Sequence, residues 1–360
     1  MGSKVRLGLI GAGWWATANH LPILAARDDI ELTAVCRLGR PALESVRDRF
    51  GFRFATEDYR ELLDQPLDAV VIASPHTLHA THARAALERG LHVMVEKPMA
   101  QRADEAWGLV ELARARGIHL LVPYGWNYKP FAEKARELIA SGAVGEIEYA
   151  MCHMASPLRH LLTGASTEMS GESGAAAGNL LAPEAATWAD PVVAGGGYGQ
   201  AQLTHATGLL FFVTPLRAAR VYADMTAPGS RVELYDAFSV RYQNGAIGTV
   251  SGAGTVPEGS GYQVDLRIFG REGMLLLDVE RERLELRRND GDNFSLPIAA
   301  GEGAYTCDAP PNRFIELVRG LTERNNSPGE VAARSVELLE AGYRTARSGK
   351  PEVVDLERKA

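Results

Sequence analysis

A chain of 360 residues is too long for one ordinary hydrophobic core and suits two domains. Its 38 Lys and Arg against 45 Asp and Glu leave a formal charge of −7, and no basic stripe marks it for nucleic acid or an anionic membrane. Cys36, Cys152 and Cys307 are odd in number and far apart, which argues against a disulfide framework or a CxxC metal site and fits a reducing cytoplasm; neither a secretory leader pattern nor an apolar run of about 18 residues appears.

The first predicted element is an apolar strand over Val5–Ile10, meeting Gly11-Ala12-Gly13 and then a helix-compatible segment that opens with Trp14-Trp15-Ala16. A dinucleotide-binding βαβ unit begins this way. Gly11 would allow the tight turn, Gly13 the approach of a pyrophosphate, and Ala16 close packing of helix on sheet. The phosphates would then lie on free N–H groups at the helix N-terminus. Glycines also serve as plain turns, so the reading rests on the strand that precedes them.

Strands predicted over 30–36, 69–73, 92–96 and 119–122 alternate with helix-period segments, which implies a parallel sheet covered by helices. At the end of the second strand an acid usually holds the NAD ribose, and here Arg37 stands instead. Arg37 and Arg40 could clasp a 2′-phosphate and tilt the choice toward NADP, whereas an arginine lying flat on the adenine would leave NAD. Ser74-Pro75-His76-Thr77-Leu78-His79 and Glu96-Lys97-Pro98 follow two of the strands at the carboxyl edge, where open α/β sheets bind ligands. His79 reads equally as a capping or core-satisfied imidazole. The apolar stripe over 103–113, ended by Gly117, assigns Trp107 to the core, and a further helix is predicted over 130–139 with Gly142 beyond it.

Past residue 145 the pattern changes to short alternating strands over 147–153, 232–242, 246–252, 262–269, 274–277 and 284–286, with an Asn244-Gly245 hairpin turn. The expected fold is therefore an α/β Rossmann domain over 1–122 followed by an α+β domain over 123–360 with an open, mostly antiparallel sheet. A closing helix over 331–346 is expected, with scope to pack back on the first domain. The Gly/Ala/Ser-rich stretch 156–199 reads as an active-site cover or as a solvated insertion.

On Gly11-Ala12-Gly13, Ser74-Pro75 with His79, and above all Glu96-Lys97-Pro98, the chain resembles the Gfo/Idh/MocA family of nicotinamide-dependent sugar and polyol oxidoreductases over almost its whole length. Residues 124–130 sit where the family begins its second domain, and Gly195-Gly196-Gly197 is followed by His205 at the family's spacing. The resemblance implies an NAD(P) cofactor, no metal, and hydride transfer at a carbinol carbon of a sugar, sugar derivative, glycoside or polyol, with Lys97 and His205 contacting the reacting oxygen. It implies cofactor contacts from Gly11, Ala12, Gly13, Trp14, Trp15, Arg37, Arg40, Ser74, Pro75, His76, His79, Glu96 and Lys97. A substrate cleft lined by Lys97, Tyr124, Trp126, Asn127, Tyr128, Arg159, Trp188, Gln202 and His205 is expected, since aromatic faces and amides suit sugar rings. An open sheet needs a cover, and the resemblance implies a second subunit, hence a homodimer or homotetramer.

One departure bears on mechanism. Most family members carry an aspartate four residues before the histidine, where this chain has Ala201, and Gly208 occupies another position that is often acidic. Without that carboxylate His205 should be less basic, with Gln202, Thr204 or Tyr198 as substitute contacts. Two further readings stand beside the dehydrogenase: a redox-neutral glycoside-cleaving enzyme with tightly bound NAD, and a non-catalytic dinucleotide-binding sensor.

Overall fold

Six short apolar segments pair in parallel to form the first sheet of the computed structural model, which describes residues 3–165, 180–257 and 260–354. They are β1 (Val5–Ile10), β2 (Ile30–Cys36), β3 (Phe54–Thr56), β4 (Ala69–Ile72), β5 (His92–Val95) and β6 (Leu120–Leu121), in the order β3-β2-β1-β4-β5-β6. Helices cover both faces, which is why β4, with the sequence AVVI, is apolar and buried at every position. The chain winds outward from β1 to β3 and then crosses back to β4. The strand order therefore reverses between β1 and β4, and a crevice opens at their carboxyl ends. β3 is absent from the sequence reading because three residues carry no readable period.

Nine strands form the second sheet: β7 (Ile147–Ala155), β8 (Ala218–Thr226), β9 (Tyr235–Tyr242), β10 (Ile247–Ala253), β11 (Gln263–Gly270), β12 (Gly273–Asp278), β13 (Arg283–Arg288), β14 (Phe294–Pro297) and β15 (Glu352–Val353). Their order is β14-β13-β12-β11-β7-β10-β9-β8-β15, antiparallel throughout except for the central β7–β10 pair. β9 alternates exposed and buried residues along its length because one face of this sheet packs on helices while the other faces outward. The Asn244-Gly245 turn joins β9 to β10, with Gly245 at φ +90° and Tyr242 N–H donating to the Ala246 carbonyl at 2.8 Å.

The closing helix Gly329–Ser348 ties the two sheets together. Thr345 on its last turn accepts the Ala223 N–H of β8 at 2.7 Å. On its other side it lies along the helix Ala103–Arg116, where Glu340 accepts the Ala103 N–H at 2.7 Å and Glu337 accepts the Trp107 indole N–H at 3.3 Å. Arg217 completes the contact by holding Glu337 through two bonds of 3.0 and 2.9 Å while its guanidinium stacks on Trp107 at 4.7 Å. Glu337 and Arg217 are both largely shielded, so removing one leaves the other charge buried. Glu337→Ala is expected to destabilise the protein by about 3 kcal/mol in urea unfolding; an unchanged midpoint would show that the contact contributes nothing.

Candidate active site

The turn after β1 is pressed against the loop after β4. Gly11 has φ +87°, and a Cβ there would lie 2.2 Å from the Ser74 backbone nitrogen, so only glycine fits. Gly13 differs: the nearest atom to an added Cβ is the Gly11 carbonyl oxygen at 4.0 Å, which leaves the space above it open. That space is a cavity of about 360 Å³ at the start of the helical segment, bordered by Gly11, Gly13, Trp14, Trp15, Cys36, Arg37, Ser74 and Pro75. Pro183, Glu184, Thr187 and Trp188 close its far side. An open glycine turn at the start of a helical segment, at a topological switch point, fits the pyrophosphate of a dinucleotide.

Glu96 directly follows β5 and is 7% exposed. One carboxyl oxygen accepts the Trp15 indole N–H and the His20 Nε2, both at 2.7 Å, and the other accepts the Lys97 backbone N–H at 3.0 Å. Burial alone would raise its pKa, but these hydrogen bonds and the neighbouring charges of His20 and Lys97 hold the carboxyl down to about 2. An ionised carboxylate therefore sits beneath the glycine-turn helix and fixes its first turns.

Lys97 is buried, and its ammonium donates to the Ala201 carbonyl at 2.8 Å. It lies 5.7 Å from the Trp15 ring and 5.9 Å from the Trp188 ring. Burial lowers its pKa below the ordinary lysine value, while Glu96 works in the opposite direction. Ala201 belongs to a turn of π-helix, Gly199–Leu203, which runs straight into the helix Thr204–Val213 that carries His205. Such turns interrupt the ordinary carbonyl ladder and recur at functional sites.

His205 is packed edge-on against Tyr124, Trp126 and Tyr305, with ring centroids 4.9 to 6.1 Å away. Its Nδ1 is buried and has no hydrogen-bond partner. Burial first, and the Lys97 charge second, push its pKa well below the ordinary imidazole value, so the ring is neutral. Lys97 and His205 line one small pocket with Trp14, Trp15, Trp126, Trp188, Gln202, Tyr262 and Tyr305. Trp14, Trp15 and Trp188 border both this pocket and the glycine-turn cavity, so the two are neighbours.

The start of the His205 helix is fixed from behind. The Glu233 carboxylate accepts the Gly197 N–H at 2.7 and 2.8 Å and the Gly199 N–H at 3.1 Å, and Tyr343 donates its hydroxyl to the same carboxylate. Gly197 is required there, because a Cβ would lie 2.2 Å from the Glu233 carbonyl oxygen.

Residues 5–124 match the description "Oxidoreductase family, NAD-binding Rossmann fold", and residues 132–276 match the GFO/IDH/MocA C-terminal domain. The chain belongs to the Gfo/Idh/MocA oxidoreductase family. It is 35% identical over 140 residues to D-xylose 1-dehydrogenase (NADP(+)) 2 of Haloferax volcanii, covering 38% of this chain and 43% of that protein. It is 32% identical over 146 residues to D-glucoside 3-dehydrogenase of Escherichia coli, covering 40% of this chain and 42% of that one. The matched stretch thus spans less than half of either curated relative. Among solved structures, an inositol dehydrogenase homolog from Azotobacter vinelandii complexed with NAD+ superposes over 98% of both chains with a TM-score of 0.78 at 22% identity.

Against that family frame, several expected contacts lie elsewhere. Arg40 is exposed and pairs with Glu44 at 3.3 Å on the next helical turn, away from the cavity. Ala12 is buried behind the turn. His79 is fully buried with its ring nitrogens facing the carbonyls of Pro98 at 2.7 Å and Ser74 at 2.6 Å, so it joins the loops after β4 and β5. A neutral ring donates to only one of these carbonyls, and burial favours that neutral form. His76 is buried against the Ala194 carbonyl and the edge of Trp188.

On the substrate side, Tyr124 lies beneath His205 and bonds Thr204 at 3.1 Å. Asn127 exchanges amide bonds with Asn326 in the core, Tyr128 lies under the Arg313 guanidinium, and Arg159 donates to the Pro228 carbonyl at 3.2 Å. None of these four borders the pocket. Tyr262 and Tyr305 do, and the sequence reading missed both. Tyr305 arrives on an irregular loop pressed so closely on the start of the second domain that a Cβ on Gly125 would lie 2.3 Å from the Thr306 carbonyl. Within the predicted cover, residues 166–179 lie outside the described residues.

The depressed Glu96 pKa carries a stability consequence. A carboxyl lowered in the folded state stabilises fully above its unfolded value of about 4.5, and that contribution is lost as pH falls toward about 2. The thermal stability of the wild type relative to Glu96→Gln is therefore expected to be largest near neutrality and to shrink from pH 4.5 downward. A difference in Tm that stays constant across that range would contradict the ionised carboxylate.

Proposed function

We propose that this chain is an NAD(P)-dependent oxidoreductase that moves hydride between nicotinamide and a carbinol or carbonyl carbon of a sugar, sugar derivative, glycoside or polyol. The observation that carries the reading is the convergence of Lys97 and His205 in one pocket directly beside the glycine-turn cavity. The activities named for the two curated relatives, on xylose and on glucosides, support the substrate class.

Gly11, Gly13 and the helix they open would hold the pyrophosphate, with Trp14, Trp15, Ser74 and Pro75 flanking the rest of the cofactor. When bound, the nicotinamide supplies the hydride acceptor for oxidation or the donor for reduction. Lys97 then serves as the proton-transfer group. Its amine, anchored on the Ala201 carbonyl, takes the hydroxyl proton in the oxidative direction and returns it in reduction. A lowered pKa suits this task, because more of the amine is then free to accept a proton near working pH.

His205 acts differently. Its neutral ring hydrogen-bonds the carbinol oxygen and orients it without carrying charge, which accords with Ala201 standing where a supporting acid is usual. Glu96 is a positioning residue, holding the Lys97 backbone and the Trp15 ring. We further infer that a second copy of the chain covers the outward face of the nine-stranded sheet, giving a homodimer or homotetramer.

The test is a carbohydrate and polyol panel followed at the absorbance band of reduced nicotinamide. Net formation of reduced cofactor is the expected result; release of an aglycone without it would favour the redox-neutral glycoside-cleaving reading, and binding without turnover the sensor. Lys97→Met is expected to lower kcat by roughly 10² or more while changing nucleotide affinity only slightly. The oxidative rate should rise with pH through an inflection below the ordinary lysine value of 10.5, because the deprotonated amine is the active form. That limb should persist in His205→Gln. An inflection near the ordinary imidazole value that disappears in this variant would assign the proton transfer to His205 instead.

A further inference from the structure

We infer that Glu57, just past the end of β3, reads the adenosine ribose of the dinucleotide and selects NAD over NADP. The inference rests on the reading of the glycine-turn cavity as the cofactor site. β2 ends at Cys36 and is followed by Arg37, so the strand that ordinarily supplies the ribose-binding acid supplies none. The neighbouring strand does. Register pairs Cys36 with Thr56, and the Arg37 N–H donates to the Thr56 carbonyl at 3.3 Å, so Glu57 leaves the sheet beside Arg37 at the same carboxyl edge. It borders the same cavity as Gly11, Gly13 and Cys36.

Local bonding orients the Glu57 carboxylate. Its Oε1 accepts the Gly39 N–H at 2.7 Å, which fixes the group at the cavity border and leaves it acceptor capacity to spare. Cys36 cannot take its place as an anion: burial first, with Asp58 and Glu57 adding negative charge, pushes that thiol up to about 12. The hydroxyls of an unmodified ribose are donors and match a carboxylate acceptor. A 2′-phosphate brings nearly two negative charges and no comparable donor.

Arg37 does not offset that repulsion. Its guanidinium donates to the Ala12 carbonyl at 3.2 Å and the Leu38 carbonyl at 3.0 Å, and it faces Glu184 at 3.7 Å. Two of its donors are thus held by backbone carbonyls, and Glu184, facing the Nη2 end, sets a second carboxylate at the cavity wall. Arg40 points away, paired with Glu44. The inference thus runs opposite to the expectation of NADP from Arg37 and Arg40.

Titration of the purified full-length protein with NADH and with NADPH, followed by quenching of its tryptophan fluorescence, tests this directly. Wild type is expected to bind NADH about tenfold or more tightly than NADPH, with the gap narrowing as ionic strength rises and screens the carboxylates. Glu57→Gln should narrow the ratio by about fivefold or more, mainly through tighter NADPH binding. Tighter binding of NADPH by the wild type, or a ratio that neither Glu57→Gln nor added salt alters, overturns the assignment. Failure of both nucleotides to bind wild type would instead overturn the dinucleotide reading beneath it.

Discussion

A buried ammonium resting on a backbone carbonyl joins the two halves of the site. Lys97 leaves the carboxyl edge of the parallel sheet, yet its nitrogen bonds Ala201, which belongs to the π-turn at the head of the His205 helix. Everything chemically reactive depends on this crossing, because it brings an amine from the edge of the parallel sheet and an imidazole from the helix Thr204–Val213 into one aromatic pocket. The same residue position that lacks the family's usual carboxylate contributes its carbonyl instead. A neutral acceptor holds a lysine in place without the strong stabilisation of charge that a carboxylate gives, and so leaves the amine easier to deprotonate.

Two carboxylates outside the pocket hold this arrangement in place. Glu96 grips the glycine-turn helix and the Lys97 backbone from the first domain, while Glu233 grips the triple-glycine turn from the second. Each binds backbone or ring N–H groups, so each can be buried without an adjacent arginine. Among the described residues no carboxylate borders the pocket itself, whose walls are mainly tryptophan and tyrosine. Carboxylates are thus confined to the supports and kept off the reacting surface, where they would repel a developing alkoxide.

Much of this was legible in the sequence. The parallel strands β1, β2, β4 and β5 are largely buried and read as mainly apolar runs between turn residues, and the segments after β4 and β5 put Lys97 and the histidines at the edge where open sheets bind ligands. β3 and β15 are too short to carry a period, and β8 mixes Arg220 and Asp224 into a strand that faces outward along much of its length. The site was harder. Aromatic and amide composition announces a cleft but not which side of a backbone turns toward it, and so Trp126 lines the pocket while Asn127, its neighbour, is spent on the core. Tyr305 and Glu57 depend on loop placement and strand register, neither of which has a local signature.

The account stands on Lys97 and His205 flanking the reactive end of a bound dinucleotide. A crystal structure of the protein grown with reduced nicotinamide dinucleotide measures this most directly. The account predicts the pyrophosphate on the Gly11–Gly13 turn and the nicotinamide ring within about 4 Å of the space between the Lys97 amine and the His205 ring, a separation that allows a reacting carbon to fit between them. A dinucleotide bound elsewhere, or bound at that turn with its nicotinamide directed away from both side chains, would contradict it.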